Sequence, residues 1–505
     1  MLWPLFFLLV PQISVGNPVV NFQEDLLFQP LASLPAANAT ESFWIDTPGA
    51  NVLANEGSQG PLTEDADICI IGSGMTGISA AYHLAQAVET INLKESHLQV
   101  KVVVLEAREF CSGATGRNGG HLTPYSFFNY REYEGKYGSI EALKSLQLEN
   151  RTAMAMVSVI EKYTLNDIVD LVAGGHVSLI SSEKEYMQLR AEYLAAHRAG
   201  LNVGEVEWLK KEDVEVMYGA SYPAVKFPAF NFWPLKFVTQ LYLLANSSSP
   251  QFSLTLHTHT PVTSVAPLES SRIWSVNTAR GSVKCSQVLH ATNGYASHLL
   301  PQFSGKNGII PTRGQIVAVR ADAAVSESWK ASWGGLDHYW FPRPMNGSDS
   351  GLEVEKEQHV DHPLVLLGGG RHIGGPAFEQ FETDDSVVNT ALGEELRGFL
   401  PETFPSMFKK GQTPEMEWTG IMGYTTMSDP FVGPVVEDMK AEAETGLYAG
   451  QYISAGYSGH GMPRAFSCAE AVADMIIAAI QDKPWSPLQW LPERYLTTNR
   501  SQKKN

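Results

Sequence analysis

The run Asp65-Ala66-Asp67-Ile68-Cys69-Ile70-Ile71-Gly72-Ser73-Gly74-Met75-Thr76-Gly77 constrains the fold of this chain more than any other stretch. An apolar segment of strand type passes directly into glycines at G-x-G-x-x-G spacing, and a helical pattern follows. A strand buried on both faces reads as such a continuous run. Gly72 permits the tight turn, Gly74 leaves room for backbone to approach a pyrophosphate, and Gly77 lets the helix pack on the strand. The helix sets Ile78, Ala81, Ala85 and Val88 on one face, so the amides of its first turn, at Met75 and Thr76, point at the bound phosphates.

A second strand, Lys101-Val102-Val103-Val104-Leu105, ends at Glu106, placed to accept hydrogen bonds from a ribose. Glu106 comes later than the usual spacing of about 20 residues. The hydrophilic segment Asn92 to Gln99 reads as a surface insertion that accounts for the delay. Strand, glycines, helix, second strand and terminal acid occur in order, which a chance glycine loop would not supply.

Beyond the acid lies Ala107-Arg108-Glu109-Phe110-Cys111-Ser112-Gly113-Ala114-Thr115-Gly116-Arg117-Asn118-Gly119-Gly120-His121, a second loop of small residues where chain must pass close under a large flat ligand. It resembles the S-G-A-S-x-R-N-x-G-x loop of the glycine/D-amino-acid oxidase family of FAD proteins. Later segments carry the same resemblance. Gln287-Val288-Leu289-His290-Ala291-Thr292-Asn293-Gly294 is similar to the family's A-T-N-G strand end. Glu417-Trp418-Thr419-Gly420 through Asp429-Pro430-Phe431-Val432-Gly433 is similar to its W-x-G-x-x-x-x-T-x-D-x-x-P-x-I-G run, and Gly456-Tyr457-Ser458-Gly459-His460-Gly461-Met462 opens a second glycine-rich turn into a helix.

The resemblance covers residues 64 to 482 and implies an α/β fold: a Rossmann-like FAD-binding domain with an α+β, mainly antiparallel-sheet substrate domain. The expected division is a signal peptide over 1–16, an extended arm over 17–63, and FAD-binding blocks at 64–126, 251–300 and 416–482. A helical substrate cap is expected over 127–250, the antiparallel sheet over 301–415 and a C-terminal tail over 483–505. Phe43 and Trp44 are expected to pin the arm by burial. Ile140, Leu143, Leu146, Leu148, Met154, Met156, Val159 and Ile160 recur at helical spacing within the cap.

Length and composition agree with a large core, since 505 residues at 44% apolar and 18% charged suffice for two or three domains. The formal charge of −18 argues against nucleic acid or an anionic membrane as partner and favours cationic small molecules. Met1 to Val10 form a short apolar segment before Ser14, Val15 and Gly16, similar to a secretory signal peptide and too short to span a bilayer. Asn38, Asn150, Asn246, Asn346 and Asn499 each begin an N-x-Ser/Thr sequon, in keeping with secretion. Cys69 inside a strand and Cys468 on an apolar helix face read as small buried hydrophobes, so no disulfide is expected.

The resemblance implies hydride removal from the carbon bearing an amine, delivered to noncovalently bound FAD, with imine release and reoxidation by O2 to H2O2. The expected cofactor contacts are Gly72, Gly74, Met75, Thr76, Gly77, Glu106 and Ala107, then Ser112, Thr115, Arg117, Asn118, Gly119, Gly120 and His121. Val262, Thr292, Asn293, Gly294, Gly459, His460, Gly461 and Met462 complete them. His460, Arg371 and Tyr339 are the candidate catalytic residues, with Trp340 and Trp233 as further candidate walls. Sarcosine-type oxidases place a lysine on the substrate sheet where Val365 to Gly370 has none, so Arg371 or His372 stands as the positive group near the flavin. The R-N-G-G-H loop and G-G-G-R strand look more like the gamma-glutamylputrescine oxidase branch, which points to an amine or N-substituted amino acid. A dehydrogenase that passes electrons to another acceptor, a D-amino-acid oxidase and a flavin binder without turnover remain open on these residues.

Overall fold

The computed structural model describes residues 30–90, 99–269, 273–325, 327–344, 362–373, 379–437 and 446–500. The expected leader, most of the Asn92–Gln99 insertion and the Asn346 sequon lie outside them. A six-stranded sheet runs in the order Phe431–Pro434, Gln451–Ala455, Gln287–His290, Ile68–Ile71, Val100–Leu105, Phe252–His257. Its pairs are parallel except the first, which is antiparallel.

Ile68–Ile71 sits inside this sheet with every residue buried, which explains its unbroken apolar run. Alternation splits it between two cores. Ile68 and Ile70 face the helices Met75–Thr90, Pro234–Asn246 and Met462–Ile480, packed through Ile78, Leu235, Val238, Val472 and Ile476. Cys69 and Ile71 face the three-stranded meander Val262–Pro267, Trp274–Thr278, Gly281–Cys285. On that face Cys69 is disulfide-bonded to Cys285, 216 residues away. This corrects the expectation of no disulfide: the two cysteines meet only because the meander folds over the strand. Cys111 and Cys468 are free and buried, as small hydrophobes are.

The second sheet has eight strands in the order Met416–Tyr424, Ile310–Arg320, Leu364–Gly369, His338–Pro342, Ser332–Gly335, His176–Leu179, Ala224–Phe227, Glu207–Leu209. All pairs are antiparallel except Ser332–Gly335 with His176–Leu179. The region expected as a helical cap therefore supplies three strands to this sheet, and Met416–Tyr424, expected in the FAD-binding part, supplies a fourth. The last parallel strand begins at Gln451 rather than Leu447. In the helix Ser139–Lys162, Ile140 and Met154 are exposed while Leu146, Leu148, Met156 and Ile160 are buried.

The described part of the N-terminal arm and the C-terminal segment both pack onto the body. Phe43 and Trp44 are fully buried against Trp233, at ring-centroid distances of 5.0 and 5.5 Å. The segment expected as a tail buries Leu491 and Tyr495, and its Arg494 pairs with the buried Asp429 at 2.6 Å.

Candidate functional site

A cavity of about 800 Å³ runs between the two sheets. One part of its lining is built by the first glycine turn. A Cβ on Gly72 would lie 2.7 Å from Ala291 O, and one on Gly77 would lie 1.9 Å from Gly72 O, so neither position has room for a side chain. Gly72 also adopts φ +106°, a conformation open to glycine. Gly77 is thus a packing residue, whereas Gly72, Gly74, Met75 and Thr76 line the cavity at the helix N-terminus. Met75 N donates to Thr115 Oγ1 at 2.9 Å, joining the two loops there.

Glu106 lines the cavity with Ala107 and Val262. Its Oε2 accepts from Ser73 N at 3.0 Å and Ser73 Oγ at 2.7 Å, and its Oε1 accepts from Arg108 N at 3.1 Å. The carboxylate is held in place by donors of the glycine turn itself. Thr292 also lines the cavity, and its Oγ1 has no partner among the described residues. A closely approached backbone, an N-terminal helix end, a fixed acid and an orphaned hydroxyl fit the diphosphate and ribose of a dinucleotide.

The second small-residue loop divides differently from expectation. Thr115, Arg117, Asn118, Gly119 and His121 line the cavity; Ser112 and Gly120 do not. A Cβ on Gly120 would meet the Trp44 ring at 2.8 Å, and one on Gly116 would meet the Cys111 carbonyl oxygen of the same loop first and then Ile45 at 2.8 Å. These glycines admit the N-terminal arm beneath the loop rather than a ligand above it. Ser112 serves through its carbonyl, which accepts from Arg108 Nη2 at 3.0 Å and Arg117 Nε at 2.9 Å. Arg117, expected at the flavin ring, also directs Nη1 to Thr40 O at 2.7 Å and Thr419 O at 3.0 Å. Gly294 lies outside the lining because a Cβ there would strike Met422 O at 2.6 Å, whereas Asn293 is in it.

Another part of the lining is formed by Tyr339, Arg371, Tyr125, His460 and Met462, with Gly459 and Gly461. Of the three aromatic wall candidates only Tyr339 lines it. Trp340 faces the other side of the sheet against Trp333, and Trp233 is consumed by Phe43 and Trp44. Gly119 and Gly368 make room for the Tyr339 ring, where added Cβ atoms would come within 2.8 and 2.6 Å. Burial raises the Tyr339 phenol and lowers the Arg371 guanidinium from their ordinary pKa values. Arg371 Nη1 has no hydrogen-bond partner among the described residues, while its guanidinium lies 5.3 Å over the Tyr424 ring. His372 is instead half-exposed and 4.0 Å from Asp337.

His121 places its ring nitrogens 3.1 Å from Gly119 O and 3.1 Å from Trp340 O. Both partners are acceptors, yet burial pushes its pKa down to about 4. At neutral pH the ring thus carries one N–H and serves one of the two carbonyls.

Glu149, which sequence reading missed, holds the lining residues Tyr125 and His460 without lining the cavity itself. Its Oε2 takes His460 Nε2 at 3.1 Å and Tyr125 N at 2.7 Å, and its Oε1 takes Arg464 Nε at 2.8 Å. Burial would raise this carboxyl, but His460 and Arg464 outweigh it and hold the pKa below the ordinary value. The sequence signal was an acid on the buried face of the helix Ser139–Lys162, between Leu148 and Thr152.

The family model described as FAD dependent oxidoreductase matches residues 67–475. Gamma-glutamylputrescine oxidoreductase of Escherichia coli (strain K12) is 24% identical over 415 residues, spanning 81% of this chain and 83% of that one. Among solved structures, glycine oxidase from Geobacillus kaustophilus superposes with a TM-score of 0.60 at 20% identity, covering 84% of this chain and 96% of that one. L-proline dehydrogenase from P. horikoshii gives 0.61 at 18% identity, covering 87% and 98%. These likenesses show the fold.

Proposed function

Because the chain belongs to the FAD-dependent oxidoreductase family, we propose that it oxidises the carbon–nitrogen bond of an amine or N-substituted amino acid. The observation that carries this reading is one cavity shared by a dinucleotide cradle and an aromatic wall of Tyr125, Tyr339 and His460. Its relatives include a gamma-glutamylputrescine oxidoreductase and an iminodiacetate oxidase, both named for nitrogen-bearing substrates.

Bound FAD supplies the two-electron acceptor. The chain's own residues bind and orient the amine beside it. An amine must shed its ammonium proton before its carbon can lose a hydride, and a buried aromatic site favours the neutral form. Glu149 can only accept, so His460 donates Nε2–H to it and the orientation of the ring is fixed from that side. The stacked Tyr125 ring, 3.8 Å away and 4° from parallel, fixes the plane of that imidazole. Arg371 supplies positive charge beside Tyr339, which favours electron delivery to O2.

Noncovalent attachment fits the cysteines and histidine nearby. Cys111 and Cys468 are buried outside the cavity lining, and both His121 nitrogens face backbone carbonyls. The Cys69–Cys285 disulfide, the leader-like N-terminus and the exposed sequons at Asn38, Asn150 and Asn246 support passage through an oxidising secretory compartment. No helix among the described residues is long and apolar enough to cross a membrane.

The test is an anaerobic amine screen followed by flavin absorbance, with peroxide measured in air. Bleaching by amines or N-substituted amino acids supports the reading; bleaching by D-amino acids alone defeats it.

A further inference from the structure

The cavity continues past the strand that carries Tyr339, into an arm walled by Phe128, His176, Phe227 and Glu185. Removing a hydride from a simple amine requires none of these. Register fixes where the arm lies. Gly369 pairs with His338, His338 with Gly335, and the adjoining Gly334 with Ser178. The strands Leu364–Gly369 and His176–Leu179 therefore run in one direction and finish on the same sheet edge, with two strands between them. Arg371 follows the end of the first, and Ser181 follows the end of the second. Three strand spacings separate these positions by ~14 Å, and Tyr339 lies two spacings, ~10 Å, from Ser178.

Glu185 stands in the first turn of the helix Glu183–Arg198, whose cap Ser182 accepts from Glu185 N at 3.2 Å. Its side chain folds back so that Oε2 accepts from Ser181 N at 2.7 Å and Ser181 Oγ at 2.6 Å. This is a capping role, and a neutral glutamine would fill it equally. Both bonds fall on Oε2, and none falls on Oε1 among the described residues. Glu185 is only 7% exposed, lines the cavity, and has no ion-pair partner among the described residues. The adjacent His176 is held neutral by burial and offers no countercharge. Oε1 is thus left for a ligand of the cavity, and a ligand that brings a cation makes a charge-assisted hydrogen bond there.

We propose that Glu185 anchors a second, non-reacting ammonium, so that the substrate class is an α,ω-diamine or polyamine rather than a simple monoamine. The proposal rests on the amine reading given above. The distal nitrogen sits at Glu185, in the arm that Phe128 and Phe227 also line. The reacting nitrogen lies an extended alkyl chain away, near Tyr339 and His460. The chain's charge of −18 draws such dications toward the cavity.

Glu185→Gln removes the charge and keeps an acceptor for Ser181. Wild type and E185Q are compared by calorimetric binding and by anaerobic flavin reduction, using α,ω-diamines and monoamines of equal carbon count. The expected result is a diamine preference in wild type that falls about tenfold or more in E185Q, while monoamine binding and the melting temperature are unchanged. Ser181→Ala serves as the reverse control: it weakens the cap, lowers the melting temperature and keeps the diamine preference. Equal binding of both amine classes to wild type, or an undiminished preference in E185Q, overturns the proposal. Diamines that bind through Glu185 without bleaching the flavin would leave this site standing and defeat the oxidation reading; bleaching by both classes alike in both proteins would do the opposite.

Discussion

His460 Nε2 lies 3.1 Å from Glu149 Oε2, and that carboxylate, 1% exposed, also binds Arg464 and the Tyr125 amide. One acid thus joins the glycine turn after the last parallel strand, the helix that follows it and the loop leading into the substrate cap. The cavity wall there is as rigid as that junction.

Loss of the Glu149 charge leaves Arg464 buried without its partner. Glu149→Ala is expected to cost about 3–5 kcal/mol at neutral pH. Because the folded-state pKa of Glu149 is depressed, its contribution is complete above the ordinary carboxylate pKa and is lost as pH falls through the depressed value. Urea unfolding of wild type and Glu149→Gln should show a stability gap that narrows in acid; a gap constant with pH would contradict the pairing.

Gly77 and Gly74 should respond differently to alanine. The Gly77 Cβ would meet backbone at 1.9 Å, whereas the Gly74 Cβ would meet the Thr115 hydroxyl, a rotatable group, at 3.1 Å. Gly77→Ala is expected to destabilise the fold by about 1–3 kcal/mol or more, seen as a lower melting temperature. Gly74→Ala should fold and lose flavin, seen in the ratio of flavin to protein absorbance.

Cys69 and Cys285 close a loop across 216 residues of sequence. Replacing both with alanine should lower stability by about 2–5 kcal/mol while flavin is retained. Alkylation of unreduced, unfolded protein should label Cys111 and Cys468 alone; labelling of all the cysteines would contradict the bond.

Arg371 should separate the two half-reactions. Arg371→Met is expected to slow reoxidation by O2 about tenfold or more and to leave the rate of anaerobic reduction by a monoamine little changed. Stopped-flow absorbance measures both rates, and equal effects on the two would remove Arg371 from the oxygen step.

What the sequence revealed depended on how local the physics was. The strand Ile68–Ile71, its glycine turn and the acid Glu106 are consecutive features whose periodicity and spacing are visible on the chain. Gly116 and Gly120 were visible too, but not all of what crowds them: besides the local Cys111 carbonyl, the groups packed there are Ile45 and Trp44, about 70 residues earlier. The disulfide, the Glu149 junction and the contribution of His176–Leu179 to the second sheet all join distant segments. Glu185 looks like an ordinary capping residue on the chain, and only the cavity behind it shows a carboxylate oxygen with no bond from the described residues.

The most direct measurement is the absorbance spectrum of the purified protein during anaerobic titration with amines. The account predicts a yellow protein that releases FAD on acid precipitation and bleaches on amine addition. A colourless protein that takes up no added FAD, or a flavin that no amine or N-substituted amino acid reduces, would contradict it.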